Sequence, residues 1–164
     1  MTRARGSLGI RWLAAVSLLL AMMLRILPLP SSLATFNPDW VLLFLISWVL
    51  STPGHIGLAT AWIVGLFTDV LTARTLGQHA LAYTAVIYVC QRIQPRLRFY
   101  PLVQQSLLVA LLLSVSRFLV FWTQNGRGPE ITDNAYWLPI VSGLLAWPLV
   151  QNSLDLLRRR FGAH

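Results

Sequence analysis

The sequence predicts an all-α, polytopic membrane protein, and three observations support that fold class. Of the 164 residues, 56% are hydrophobic, and the mean hydropathy is +0.64. Only 11% are charged, whereas soluble domains carry about 25%. Apolar blocks such as 101–123 and 134–157 reach the ~20 residues that a helix needs to cross ~30 Å of hydrocarbon. Because the polar pieces between the blocks are too short to form a soluble unit, we expect one membrane domain over residues 1–164.

Six helical spans can be drawn along the chain, and together they predict a bundle of six transmembrane helices. Their approximate limits are 10–27, 39–52, 56–73, 78–94, 101–123 and 134–157. The first block is long for the core of a signal peptide, and Arg25 interrupts its end, so we interpret it as a retained helix. Asn37, Pro38 and Asp39 suit the N-terminal cap and first turn of the second span.

The later spans end at polar or proline-containing pieces. Residues 74–77 close the third span, the fourth ends before Pro95, and Pro148 should kink the sixth. The second and third spans are short. An alternative for these two is a re-entrant hairpin, which would leave four full spans with the same termini.

All thirteen basic residues are arginine, and their distribution predicts the orientation. Cytoplasmic loops are enriched in Lys and Arg, and with both termini cytoplasmic, nine of the thirteen arginines lie on that side. The net charge of +8 does not indicate nucleic-acid binding, because the arginines flank apolar spans. We expect six of them to bind anionic lipid headgroups. They are Arg92, Arg96, Arg98, Arg158, Arg159 and Arg160.

The third span has small residues on one helical face. Gly57, Ala61, Gly65 and Asp69 recur every four residues, and such a face lets another helix backbone approach closely. One interpretation is internal helix packing, with Asp69 capped or paired. The other is a docking face for a partner's helix.

Charged residues inside apolar spans predict a second feature, a polar cluster in the outer half of the bilayer. Its members are Arg25, Asp39, Asp69, Arg74 and Arg117. A charge near the membrane centre costs about 2.5–3.5 kcal/mol on insertion scales, so each should be paired or face protein. We expect Asp69 and Arg117 to form the main pair, and Arg25 and Asp39 a weaker one.

Catalytic and metal-binding patterns are missing from the sequence. There is no paired intramembrane Asp and no metalloprotease motif, and the three histidines are scattered. Cys90 is the single cysteine, so no internal disulfide can form. We therefore expect no enzyme activity, no metal and no cofactor.

Several of these residues, in this order and spacing, resemble the MreD family of bacterial rod shape-determining membrane proteins. They are the stretch 37–40 (Asn-Pro-Asp-Trp), Gly57, the stretch 65–70 (Gly-Leu-Phe-Thr-Asp-Val), Leu76-Gly77, Phe121-Trp122 and Trp147-Pro148. The resemblance implies a multi-pass protein of the bacterial inner membrane without known catalysis. It implies direct binding to MreC, and a complex with MreB filaments, RodA and the transpeptidase partner of RodA. It also implies a fold similar to the S-components of energy-coupling-factor transporters, with six helices and a cavity near the outer side.

Two functional hypotheses follow. The first is a non-catalytic scaffold of the cell-elongation machinery that docks a partner helix and helps to link MreB filaments to peptidoglycan synthesis. The alternative is a small-molecule-binding carrier of the S-component type, for which the predicted polar cluster would form the ligand site.

Overall fold

The computed structural model describes residues 2–28, 30, 35–52, 54, 56–97, 100–124 and 134–160, with side chains from residue 9 onward. Within these ranges the chain is helical and contains no strand, so the prediction of an all-α protein is confirmed. The helices are α1 (Thr2–Ile26), α2 (Trp40–Ser51), α3 (Leu58–Leu71), α4 (Gln78–Leu97), α5 (Leu102–Thr123) and α6 (Leu138–Arg160), with a 3-10 turn at Asn134–Tyr136 before α6. From α2 onward, each helix begins and ends within four residues of its predicted span.

Three of these helices are long and apolar enough to cross a membrane. The qualifying stretches are Gly9–Ile26 in α1, Leu102–Thr123 in α5 and Leu138–Arg160 in α6. Helices α2 and α3 have 12 and 14 residues, which at 1.5 Å per residue gives only about 18 and 21 Å. These two are apolar but short, as the sequence indicated.

Helix α2 is the centre of the bundle. Ten consecutive residues, from Val41 to Leu50, are buried, because this helix is hydrophobic on every side. It packs against α1, α4 and α6. Its ends are capped locally: the Asp39 carboxylate accepts the Leu42 N–H at 3.3 Å, and the Thr52 hydroxyl donates to Trp48 O at 2.8 Å.

Successive helices run in opposite directions. Asp39, before α2, contacts Arg25 at the end of α1, whereas Trp48, late in α2, bonds back to Ser17. The same reversal holds for α3 with α4 and for α5 with α6. Helices α1, α3 and α5 therefore end at one end of the bundle, which we call the Asp39 end. Helix α1 begins, and α6 finishes, at the opposite end, which we call the Arg158 end.

The route of α2 bears on the re-entrant alternative. Pro38, just before α2, lies beside Gly143 early in α6. The Ser51 hydroxyl, at the other end of α2, accepts a hydrogen bond from Arg158 late in α6. Helix α2 thus lies alongside α6 between these two contacts, and both the six-span arrangement and its re-entrant alternative stay predictions.

Helix α4 continues past the predicted stop. Pro95 lies inside it, and the helix ends at Leu97. Pro95 lacks an N–H and so removes one helical hydrogen bond, but side chains of the same turns bind the neighbouring helix ends. The Gln94 amide donates to Val49 O at 2.8 Å, and the Gln91 amide donates to Ile56 O at 3.3 Å. These bonds hold α4 against the end of α2 and the start of α3.

Candidate functional site

The site is a polar network at the Asp39 end, and its deepest member is Asp69. This residue is fully buried near the end of α3. Its Oδ2 accepts the Gly77 N–H at 2.8 Å, and its Oδ1 accepts the His79 N–H at 2.9 Å. Asp69 Oδ1 also lies 2.7 Å from His79 Nδ1. The carboxylate therefore accepts two backbone N–H groups at the start of α4, where a helix leaves its first donors without helical partners.

The turn between α3 and α4 adopts the backbone geometry that brings those donors to Asp69. Ala73 has φ 50° and Gly77 has φ 99°, and glycine takes such a conformation without steric cost. The Arg74 N–H donates to Asp69 O at 3.0 Å, which closes the C-terminal end of α3. This tight reversal explains why a glycine lies two residues before His79.

The second part of the network is the ion pair of Arg25 and Asp39. Arg25 Nη1 lies 2.5 Å from Asp39 Oδ1, and both side chains are largely buried. The Tyr83 hydroxyl donates to Asp39 at 2.8 Å and receives Arg25 Nη1 at 3.1 Å. The Arg25–Asp39 ion pair and the Tyr83 hydroxyl thus join α1, α2 and α4. The pairing of Arg25 with Asp39 is the one that the sequence predicted.

His79 connects the two parts, and its neighbours specify its tautomer. Arg25 has only donors, so the contact of 2.9 Å between Arg25 Nη2 and His79 Nε2 requires a lone pair on Nε2. A proton on Nδ1 then donates to Asp69. The result is a continuous chain of hydrogen bonds from Asp69 through His79 and Arg25 to Asp39.

Arg117 has a different partner from the one predicted, so the expected Asp69–Arg117 pair is wrong. The Asp69 carboxylate instead accepts hydrogen bonds from backbone N–H groups at the start of α4. Arg117 Nη1 instead donates to Tyr136 O at 2.7 Å, and the Tyr136 hydroxyl donates back to Arg117 O at 2.9 Å. The guanidinium lies 5.0 Å from the centre of the Tyr136 ring, which adds a cation–π contact.

The predicted cluster is nevertheless gathered at one end of the bundle. Arg25, Asp39, Arg74 and Arg117 line a common polar cavity of about 60 Å³, together with His79 and Tyr136. Asp69 lies behind His79 and is not part of the lining. Sequence reasoning missed His79 and Tyr83; their signal was a pair of polar rings four residues apart on the same face of an apolar span.

The small-residue face of α3 is covered by the chain itself, and this corrects its prediction as a docking face. Ala61 and Asp69 are fully buried, and Gly65 is buried too. A Cβ on Gly65 would lie 2.6 Å from Ala80 N, which belongs to α4. Only Gly57 has open space beside it. The face is an internal packing surface, the other interpretation that the sequence left open.

Arg158 is also placed differently from its predicted role at lipid headgroups. Its side chain is buried, pairs with Asp155 at 2.7 Å and donates to Ser47 O at 3.2 Å. Its guanidinium lies 4.6 Å from the Trp48 ring centre. Because α2 offers these acceptors, Arg158 joins α6 to α2 and does not face lipid.

Four of the other arginines that were predicted to bind lipid headgroups lie at the surface. Arg92, Arg96, Arg159 and Arg160 are exposed, and Arg92 lies against Tyr88 in the preceding turn. Arg98 lies outside the described residues. Within the described chain, no group of three or more His, Cys, Asp or Glu side chains could hold a metal ion.

A second feature is an apolar groove on the side of the bundle between α1 and α3. Its volume is about 520 Å³. One wall is formed by α1 from Arg11 to Met22, and the other by Ile56 and α3 up to Leu71. Phe67 and Ile63 are more than half exposed within it. The groove follows α3 along its length, from Ile56 to Leu71.

Comparison with known proteins identifies the family. A family model described as rod shape-determining protein MreD matches residues 7–159. The chain belongs to the MreD family. It is also 31% identical over 160 residues to the rod shape-determining protein MreD of Haemophilus influenzae, an alignment that covers 94% of this chain and 96% of that protein. No solved structure matches the chain.

Family membership and the apolar helices agree on a coarse description. As an MreD family member the chain has a role in rod shape determination, and it is a membrane protein. The residues that suggested the MreD resemblance have structural roles in this chain. Asp39 begins α2 and pairs with Arg25, Gly65 contacts α4, and Asp69 with Gly77 forms the α3–α4 turn.

Proposed function

We propose that this chain is a non-catalytic scaffold of the cell-elongation machinery that binds the single membrane helix of MreC. It lies in the bacterial inner membrane with both termini in the cytoplasm. Through MreC it helps to link MreB filaments to peptidoglycan synthesis by RodA and its transpeptidase partner. Family membership supports the role in cell shape, and the open groove between α1 and α3 supports the binding of a helix.

The groove has the properties that a helix-binding surface needs inside a bilayer. Lipid tails are as apolar as leucine, so helices associate where small residues let their backbones approach. Ala14 and Ala15 on α1 and Thr60 on α3 supply such positions in the groove walls. Arg11 lies at the Arg158 end of the groove, where it would meet the charged flank of an incoming helix.

The orientation is supported by the arrangement of the arginines. The start of α1 and the end of α6 lie at the same end of the bundle, and the exposed Arg96, Arg159 and Arg160 are at that end as well. Cytoplasmic flanks of membrane helices are enriched in such residues, and anionic lipid attracts them. Reporter fusions at the C-terminus that read an external location would refute this orientation.

The groove is tested by filling it. Ala15→Trp places a large ring in the groove, whereas Ala59→Trp makes the same change at an exposed α3 position outside the groove. We expect Ala15→Trp to reduce co-purification of MreC from native membranes at least tenfold, and Ala59→Trp to leave it unchanged. Equal recovery with both variants would show that MreC binds elsewhere. Loss of rod shape on depletion of the chain, rescued by Ala59→Trp only, is the cellular readout.

A further inference from the structure

The polar cavity at the Asp39 end holds more positive than negative charge. Three guanidinium groups line it, from Arg25, Arg74 and Arg117. One carboxylate, that of Asp39, lies among them. The cavity lies where α1, α3 and α5 end. Its lining residues belong to α1, α4 and α5 or lie just outside the ends of α2, α3 and α6.

Only one of these arginines has a carboxylate partner in the described part of the chain. Arg25 is paired with Asp39 at 2.5 Å. Arg117 donates to a backbone carbonyl, that of Tyr136, and this bond holds its guanidinium at the cavity wall. Arg74 is exposed, and among the described residues its side chain has neither an ion pair nor a hydrogen bond. Two positive charges therefore face the cavity without a described counter-charge.

Two guanidinium groups that lack a carboxylate partner among the described residues favour a bound anion. Charges near hydrocarbon are costly unless they are paired. The planar fork of a guanidinium matches the oxygens of phosphate and carboxylate groups and can bind them with two hydrogen bonds. A cavity needs about 10–15 Å³ to hold one water molecule, so a cavity of about 60 Å³ has room for one small oxyanion in place of water.

We propose that this cavity binds an oxyanion of about the size of a phosphate group, held by Arg74 and Arg117. The Arg25–Asp39 pair and His79 form the rigid back of the site. Two sources carry this chemistry, a phospholipid headgroup that enters from the bilayer and a free phosphate group that enters from water. The proposal is independent of the MreC groove, which lies along the other side of α3 from the Asp69–α4 contact.

Two acidic residues between α5 and Asn134 provide the competing explanation. The chain has five acidic residues, and Glu130 and Asp133 lie in 125–133, outside the described residues. If either one served as the counter-charge of Arg117, the cavity would need no external anion. The double variant Glu130→Gln/Asp133→Asn removes both charges and separates the two explanations.

The experiment uses the full chain in detergent and in lipid nanodiscs. Native mass spectrometry measures retained phosphatidylglycerol against phosphatidylcholine, and thermal unfolding is followed while inorganic phosphate is titrated at constant ionic strength. We expect Arg74→Gln and Arg117→Gln to weaken anion binding about tenfold each, the effect of losing one charge-assisted hydrogen bond. Gln104→Ala changes an exposed polar side chain at the opposite end of the bundle; it is the control and should bind as the parent does.

Each outcome decides the proposal. Phosphatidylglycerol retained through Arg74 and Arg117, with no response to inorganic phosphate, identifies the lipid source, and a stabilising response to phosphate identifies the free anion. Arg74→Gln binding as tightly as the parent overturns the site, as does an equal loss with Gln104→Ala. Anion binding that appears only in Glu130→Gln/Asp133→Asn also overturns it, because Glu130 or Asp133 then supplies the counter-charge. Arg74 is exposed, so its variant keeps the test valid if Arg117→Gln does not fold.

Discussion

Substituting Gly65 by alanine should separate α3 from α4. The added Cβ would lie 2.6 Å from Ala80 N and 2.8 Å from His79 C, whereas ordinary contacts begin near 3.4 Å. The nearest obstructing atom is Ala80 Cα. Because the obstructing atoms belong to the backbone, no side chain can rotate away, and the helices must part by about 1 Å. Overpacking of this kind costs about 1–3 kcal/mol.

The same displacement would lengthen the hydrogen bonds that hold the start of α4. Asp69 accepts the N–H groups of Gly77 and His79 at 2.8 and 2.9 Å. An added displacement of about 1 Å would take both beyond the usual limit of about 3.2 Å for such bonds. Bonds to a charged group contribute about 1.5–3 kcal/mol each, and partial relaxation will recover some of this. We therefore expect Gly65→Ala to lower the free energy of unfolding by about 2–4 kcal/mol.

The assay is reversible unfolding of the purified chain in mixed micelles, with Gly57→Ala as the matched control. Gly57 lies on the same predicted face, but a Cβ there would meet nothing within 4 Å, so its variant should stay within about 0.5 kcal/mol of the parent. Equal stability of the two variants would refute the close contact of α3 with α4. A stable Gly65→Ala protein that no longer co-purifies with MreC would restore the docking interpretation of this face.

Three further predictions concern the buried polar groups. Asp69→Asn should cost about 1.5–3 kcal/mol in the same unfolding assay, because an amide replaces a charged acceptor of two backbone bonds; unchanged stability would contradict the capping role. A double-mutant cycle of Arg25→Gln and Asp39→Asn should give a coupling energy of about 1–3 kcal/mol, and a value near zero would show that the ion pair does not act as a unit. Arg158→Gln should be destabilised by about 2 kcal/mol or more, whereas exposed Arg159→Gln should unfold like the parent; equal behaviour would place both side chains at the lipid surface.

Helix positions followed from the sequence because they depend on local patterns. Apolar runs bounded by Pro, Gly and Asp specify where a helix begins and ends, and α2 to α6 lie within a few residues of these limits. The exception at Pro95 has a tertiary reason. The helix continues past it because Gln94 and Gln91 bind the ends of neighbouring helices, and a one-dimensional pattern does not show those partners.

Side-chain pairing within the polar cluster could be predicted from the sequence only in part. The composition of the cluster and the Arg25–Asp39 pair could be argued from depth along the helices. The partner of Asp69 could not, since the turn at Ala73 and Gly77 folds the start of α4 back onto its carboxylate. Depth along the helix also did not predict that the Arg158 side chain contacts the central helix α2.

By itself, the sequence determined that this chain is a helical membrane protein, where its helices lie and that its small-residue face needs a close neighbour. Those properties depend on hydrophobic burial and on steric limits, which act residue by residue. Only the tertiary structure decided that the neighbour is α4 of the same chain, that His79 connects the two acids through Arg25, and that Arg74 and Arg117 line one cavity without a carboxylate partner among the described residues. Such assignments depend on which polar groups lie close together once the helices have packed. Where no water is present, a buried charge must be paired with another protein group.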